Sequence, residues 1–149
     1  MNSINQLENI TEEFLGLKSC TIKVLTEPIS EGKWAIREIV GHLFYWDKFN
    51  LDKMIPLMAD GAVLPPFPNH DLYNEEAVAY LTKYEKVSEI IDDFVKKRKQ
   101  LVKELKELDN GIQFQIENEP NLFSAEKFAE LFLEHDIHHL NQIKKKLEK

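Results

Sequence analysis

The chain has 149 residues, of which 43% are hydrophobic and 30% are charged, and its formal net charge at pH 7 is −7. A chain of this length can bury its own apolar core as one domain over residues 1–149, and the composition argues against the disordered and fibrous classes. A nucleic-acid binder needs a basic face, so the acidic balance argues against that class as well.

The sequence contains no recognisable export or membrane signal. Its first residues lack a basic region followed by an apolar run, and no stretch approaches the roughly 20 apolar residues that span a bilayer. The single cysteine, Cys20, cannot form an internal disulfide. We therefore expect a cytoplasmic protein without a membrane partner.

The first two helices are predicted over residues 3–25 and 34–58. Apolar residues recur at helical spacing in both segments, and the connection between them contains Pro28 and Gly32. Because residues 26–33 form a short connection, we expect these helices to be antiparallel neighbours.

The third helix is predicted over residues 74–108, with Asn74 as its N-cap. The preceding connection contains Pro65, Pro66 and Pro68, which favour an extended backbone. At about 3.1–3.3 Å per residue, this connection can climb the roughly 37 Å length of a 25-residue helix. The second and third helices can therefore run parallel.

The fourth helix is predicted over residues 124–147, with Ser124 as its N-cap. Alternating residues at 112–116 predict either one short strand or an extended packing segment before it. The predicted fold is all-α: a four-helix bundle with up-down-down-up topology and a long Pro-rich crossover between helices 2 and 3.

Three histidines form the candidate metal site. His135 and His139 have the i,i+4 spacing that lets two imidazoles bind one ion. Both fall on the predicted inward stripe of the fourth helix, and two buried imidazoles are costly unless they are paired or bound to metal. His42 lies near the start of the second helix and would reach a similar height if the second and fourth helices are antiparallel. That stripe consists of Phe128, Leu131, Phe132, Gln142 and Ile143.

Two segments resemble the signatures of a known family. Residues 34–43 carry a tryptophan-to-histidine helix opening, and residues 134–143 carry a histidine pair followed by Gln-Ile. Together they resemble the DinB-like family of metal-binding four-helix bundles, and the resemblance extends over essentially the whole chain. It implies an up-down-down-up bundle whose three-histidine site maps onto His42, His135 and His139.

The resemblance also implies a range of activities. DinB-like proteins include S-transferases that use low-molecular-weight thiols such as bacillithiol or mycothiol, a mycothiol-dependent isomerase and metal-dependent hydrolases. A metal-dependent transferase or hydrolase that acts on a small molecule is implied here, with a thiol as co-substrate in the first case. Homodimers are common among similar bundles, so a homodimer is an option for this chain.

A site with three imidazole ligands has at least one open coordination position, which is typical of catalytic sites. Zinc or nickel suits such ligands best, and iron or manganese is an alternative. An ion held in this way can lower the pKa of a bound water to about 7 or activate a thiolate. The alternative function is a non-catalytic bundle that sequesters a metal or a small ligand under stress. No general base is identified.

Asp47 and Asn50 interrupt the inward stripe of the second helix. They would line a pocket or support a ligand imidazole through a hydrogen bond, and an ion pair with Lys18 or Arg98 is an equal alternative. Gln142 would either support a ligand in the same way or hold a water.

The other residues around the site are given less specific roles. Glu134 and Asp136 are expected to be solvated, and His70 is expected to be exposed in a loop. Trp34, Trp46 and Phe132 are expected to belong to the core rather than to a substrate platform.

Overall fold

A computed structural model describes residues 2–148. Its helices are α1 (Asn2–Asn9), α2 (Thr11–Leu15), α3 (Ile22–Thr26), α4 (Ile36–Phe49), α5 (His70–Tyr80), α6 (Val87–Glu107) and α7 (Ala125–Leu147). Two short strands, β1 (Val63–Leu64) and β2 (Gln115–Ile116), lie in the connections that follow α4 and α6. A π-helical turn at Asn50–Met54 and a 3-10 turn at Ile55–Leu57 extend α4.

The prediction of one continuous first helix is wrong at Cys20 and Thr21. The backbone of both residues is extended, and the hydroxyl oxygen of Thr21 accepts a hydrogen bond from the Val24 N–H. Thr21 therefore acts as the N-cap that starts α3 as a separate helix.

The prediction of one continuous third helix is also wrong. Asn69, rather than Asn74, is the N-cap of α5, since its side chain accepts a hydrogen bond from the Leu72 N–H. The backbone of Tyr84 is extended, and α6 starts after Lys86, whose N–H donates to the Glu89 carboxylate. The crossover thus contains a helix of its own. The predicted fourth helix is confirmed, with the Ser124 hydroxyl accepting from the Lys127 N–H.

Two apolar clusters show how the four bundle helices run. One cluster joins the N-terminal parts of α1 and α7 to the C-terminal part of α6 and the residues that extend α4. The other joins α2 and the C-terminal part of α7 to the N-terminal parts of α4 and α6. The segment formed by α1 and α2 is therefore parallel to α7, and both are antiparallel to α4 and α6. The predicted up-down-down-up bundle is confirmed.

The two strands connect the segments that follow α4 and α6. They pair in parallel, with Val63 opposite Gln115 and Leu64 opposite Ile116. Leu64 and Ile116 are buried in the first apolar cluster, whereas their neighbours face solvent. This pairing anchors the crossover and residues 109–123 to one another at one end of the bundle. No helix within residues 2–148 is long and apolar enough to cross a membrane.

Candidate metal centre

His42 of α4 and His135 and His139 of α7 point toward one another inside the bundle. Their ring centroids are 5.0 Å apart for His42 and His135, and 4.7 Å apart for each of the other two pairs. One nitrogen from each ring lies within 4.8 Å of the other two. The structure therefore brings together all three histidines that the sequence singled out.

Hydrogen bonds fix the orientation of two of these rings. His42 is only 2% exposed, and its Nδ1 lies 3.2 Å from the Ile39 carbonyl oxygen, which can only accept. The Nδ1 of His139 lies 2.8 Å from Oε1 of Gln142, one turn further along α7. With Nδ1 as the donor in both rings, Nε2 keeps its lone pair for another ligand.

The three rings are neutral at pH 7. Burial, together with smaller contributions from the nearby His139 and His135, lowers the pKa of His42 to about 3. Burial likewise lowers the pKa of His135 to about 4, with a smaller contribution from His139. The pKa of His139 is also lowered by burial, although its hydrogen bond to Gln142 acts in the opposite direction. Neutral imidazoles are the form that binds metal.

The donor set fits a small divalent ion. Metal–nitrogen bonds of about 2.0–2.1 Å place tetrahedral ligand nitrogens roughly 3.4 Å apart. Separations of up to 4.8 Å can close to that value through small side-chain rotations. Neutral rings with closely spaced nitrogens, two of them with a hydrogen-bonded second nitrogen, are features of a histidine metal site.

A buried ion network lies next to the histidines and links four helices. Nε and Nη2 of Arg98 donate to Asp47, and Nη1 and Nη2 donate to Asp136, at distances of 2.6–3.2 Å. Nη1 also donates to the Leu7 carbonyl oxygen in α1. In each of α4, α6 and α7, the charged residue lies between the stretches that form the two apolar clusters.

This network decides between two alternatives and corrects one prediction. Asp47 forms the ion pair with Arg98 and does not line the cavity described below. The expectation that Asp136 is solvated is wrong, because it is 1% exposed and bound to Arg98. Glu134 is exposed, as expected.

Asn50 and Gln142 have different surroundings. Asn50 is buried, and its Oδ1 has no hydrogen-bond partner among the described residues. Asn50 therefore neither takes part in the Arg98 ion network nor lines the cavity described below. Gln142 contacts a candidate ligand directly through its hydrogen bond to His139.

A cavity of about 220 Å³ opens beside the histidines, and we call it the aromatic cavity. Trp46 and Phe132 contribute to its wall as well as to the core, so the expectation of a purely core role is incomplete. His70 is exposed as expected, but it is the first residue of α5 rather than a loop residue. The lining residues are His42, Trp46, Phe67, His70, Asn74, Glu119, Leu131, Phe132 and His135.

Sequence reasoning missed Phe67, Asn74 and Glu119 as lining residues. Phe67 and Asn74 come from the crossover, and Glu119 follows β2. The one available signal was the alternating pattern at 112–116, which indicated an extended segment but not its partner strand. The parallel pairing of β1 with β2 brings these distant parts of the chain to the same cavity.

Comparisons with known proteins agree with this architecture. A sequence profile of the DinB superfamily matches residues 5–143. A solved structure similar to this one is that of YfiT from Bacillus subtilis, described as a probable metal-dependent hydrolase with an unusual four-helix bundle topology. The two chains are 17% identical, with a TM-score of 0.68, and the match covers 97% of this chain and 83% of YfiT. No curated protein matches the sequence.

Proposed function

Because the chain belongs to the DinB superfamily, we propose that it is a metal-dependent hydrolase that acts on a small molecule and holds one divalent ion with His42, His135 and His139. The observation that carries this proposal is the convergence of three neutral imidazoles beside a cavity of about 220 Å³. The description of YfiT as a probable metal-dependent hydrolase supports the same reaction class.

The residues of the chain have separate roles in this proposal. Ile39 and Gln142 orient His42 and His139 through their Nδ1 atoms, and the burial of the rings keeps them unprotonated. Trp46, Phe67 and Phe132 exclude water from one side of the cavity and contact the substrate. When bound, a zinc or nickel ion supplies Lewis acidity and a water with a lowered pKa, and iron or manganese would act similarly.

The proposal is tested by the metal content of untagged, full-length protein. We expect about one ion per chain in the wild type and a clear loss in His139→Ala. His138→Ala is the matched control, because this neighbouring histidine is exposed and outside the cluster. Equal metal content in wild type and His139→Ala would overturn the site.

A panel of small esters, amides and phosphoesters then tests the reaction. We expect turnover by the metal-loaded wild type, no turnover after chelation, and recovery when the metal is returned. Stoichiometric metal without turnover of any compound would favour the alternative, a non-catalytic bundle that binds a metal or small ligand.

Thiol-dependent S-transfer is the second candidate function, and a second cavity favours it. This cavity of about 230 Å³ is lined by His139 and Gln142 together with Lys33 and Trp34. A reaction between two substrates needs access for both, and the histidine cluster borders a cavity on each side. Addition of cysteine or bacillithiol to cobalt-loaded protein should produce thiolate-to-metal charge-transfer absorption if a thiol is the co-substrate. A cytoplasmic location and a homodimer both stay predictions.

A further inference from the structure

We propose that the aromatic cavity recognises a cationic group, so that the substrate is a small molecule bearing a protonated amine or a quaternary ammonium. The identity of the reaction, metal-dependent hydrolysis, rests on the proposed function. The binding of a cationic group in the aromatic cavity does not depend on it. The inference names the chemical class of ligand that fits the cavity beside the histidine cluster.

Three aromatic rings form one wall of the cavity. The ring centroids of Trp46, Phe67 and Phe132 lie 5.9–6.3 Å from one another. The indole N–H of Trp46 donates to Oδ1 of Asn74 at 3.3 Å, which satisfies its polar atom and fixes the ring. Fixed aromatic faces attract cations through the ring quadrupole, and tryptophan does so most strongly.

The charge of the lining has a definite sign. Among the lining residues that lie within 2–148, Glu119 is the only carboxylate, and neither lysine nor arginine is present. A neighbouring cavity that shares Asn74 adds Asp71 and Glu75, and its lining in the described part of the chain again contains no lysine or arginine.

The negative charge of this lining does not simply reflect the net negative charge of the protein. Two cavities elsewhere on the molecule are lined by lysines, one beside α6 and the other beside the C-terminal part of α7. Their lysines are Lys48, Lys83, Lys96 and Lys97 in the first cavity, and Lys33, Lys145 and Lys146 in the second. The absence of lysine and arginine from its described lining is therefore a local property of the aromatic cavity.

The backbone holds Glu119 in a tight turn at the cavity. Its N–H donates to the Ile116 carbonyl oxygen at 3.0 Å, directly after the paired strand β2. Asn118 has φ 72°, in the left-handed region that asparagine tolerates better than most residues, and Pro120 restricts Glu119 to extended backbone. The turn thus fixes the backbone from which the Glu119 side chain reaches the cavity.

The buried end of the cavity gives the ligand its orientation. His42 is 2% exposed, and its Nε2 has no hydrogen-bond partner in the described part of the chain. A divalent ion at this end would repel a nearby cation, so the cationic group belongs at Glu119 and the aromatic rings. The neutral, reactive part of the molecule then faces His42 and His135.

Three probes of the same shape test the sign of the charge. They are choline, the neutral 3,3-dimethylbutan-1-ol and the anionic 3,3-dimethylbutanoate. Binding to full-length protein is followed by NMR through the indole N–H signal of Trp46, which is assigned with Trp46→Phe. We expect choline to bind about five- to twentyfold more tightly than the alcohol, and the butanoate to bind most weakly.

Two variants of one turn provide the matched comparison. Glu119→Gln should weaken choline binding by about two- to fivefold, and Glu117→Gln should leave it unchanged. Both remove one exposed negative charge, but only Glu119 lines the cavity. Choline that binds no better than the alcohol, equal effects of the two variants, or an unmoved Trp46 signal would overturn the inference.

The titrations are made with metal-free protein and repeated with zinc. If choline binds but no compound is hydrolysed, the proposed function fails and the cationic cavity stands. If metal binding and hydrolysis are found but the probes show no preference for positive charge, the cavity inference fails alone.

Discussion

At the scale of single residues, Gln142 orients the His139 ring, and we expect this hydrogen bond to strengthen metal binding. Its Oε1 is the only hydrogen-bond partner that the structure assigns to the His139 ring within residues 2–148. We expect Gln142→Leu to lower zinc affinity by about 10- to 100-fold, because the imidazole loses the group that fixes its tautomer and orientation. Competition with a chromogenic chelator measures the change.

Gln142→Glu is the matched variant, since it keeps an acceptor at the same position. It should retain wild-type zinc affinity within about threefold. Equal loss in both variants would mean that Gln142 acts through packing and not through the hydrogen bond.

Gly41, which precedes His42, is required by close packing. A Cβ at this position would lie 2.3–2.8 Å from side-chain atoms of Leu81, which is fully buried. Alanine would gain up to about 1 kcal/mol in helix propensity, but overpacking costs about 1–3 kcal/mol. We expect Gly41→Ala to lower the free energy of unfolding by about 1–2 kcal/mol, as measured by urea denaturation.

Gly16→Ala is the control for that experiment. Gly16 has helical backbone angles, and no atom lies within 4 Å of an added Cβ. This substitution should raise the free energy of unfolding by about 0.4–1 kcal/mol. A stabilised Gly41→Ala variant would contradict the packing argument.

The three histidines could be singled out from the sequence because chemistry and spacing agree, but Asp136 could not be placed. The inward stripe predicted for α7 was assigned from aromatic residues and Leu131. In the structure, Leu131 is 38% exposed and lines the aromatic cavity. The residues of α7 that pack in the core include Ala129, Leu133 and Leu140, on the side where Asp136 meets Arg98. A helix that faces both a core and a cavity has two inward stripes. The sequence alone does not distinguish the stripe that faces the core from the stripe that faces the cavity.

At the scale of elements, the Arg98 network joins α1, α4, α6 and α7. Arg98 is 1% exposed and is paired with two buried carboxylates. Arg98→Met would leave Asp47 and Asp136 buried beside each other, and losing one partner of a buried ion network costs about 3–5 kcal/mol. We expect a decrease of that size in the free energy of unfolding by urea.

Two comparisons separate the loss of charge balance from the loss of packing. The triple variant Arg98→Met, Asp47→Leu, Asp136→Leu should be more stable than Arg98→Met alone, because no unpaired charge remains buried. Lys48→Met breaks an exposed pair with Asp52 and should change stability by less than about 1 kcal/mol. A triple variant less stable than Arg98→Met would show that packing dominates.

Of three side-chain N-caps of the same local type, the sequence analysis recognised Ser124 but not Thr21 or Asn69, because apolar periodicity continues across Thr21 and the prolines before Asn69 favour an extended backbone. Ser124 caps α7 as its sequence indicates. The apolar periodicity through residues 74–108 hid the break after α5. Leu81 is apolar and packs against Gly41, as a residue of a continuous helix stripe would, although it lies in a 3-10 turn. The parallel pairing of β1 with β2 is a contact across some 50 residues, and no local pattern specifies it.

At the scale of the whole molecule, the up-down-down-up topology makes the site possible. It sets α4 antiparallel to α7, so His42 in the first half of α4 meets His135 near the middle of α7 and His139 in its second half. The crossover that this topology requires supplies Phe67 and Asn74 to the aromatic cavity. The long connection between parallel helices is therefore also part of the candidate substrate site.

Metal binding should stabilise the whole fold, because the three ligands come from two helices and converge only in the folded state. An ion at 100 times its dissociation constant adds about 2.7 kcal/mol to the free energy of unfolding. For a chain of 149 residues, this corresponds to a rise in Tm of roughly 5–10 °C. Thermal denaturation of chelator-treated protein, with and without zinc, measures it. His138→Ala should keep the rise and His139→Ala should lose it; an equal rise in both variants would place the stabilising ion somewhere other than the histidine cluster.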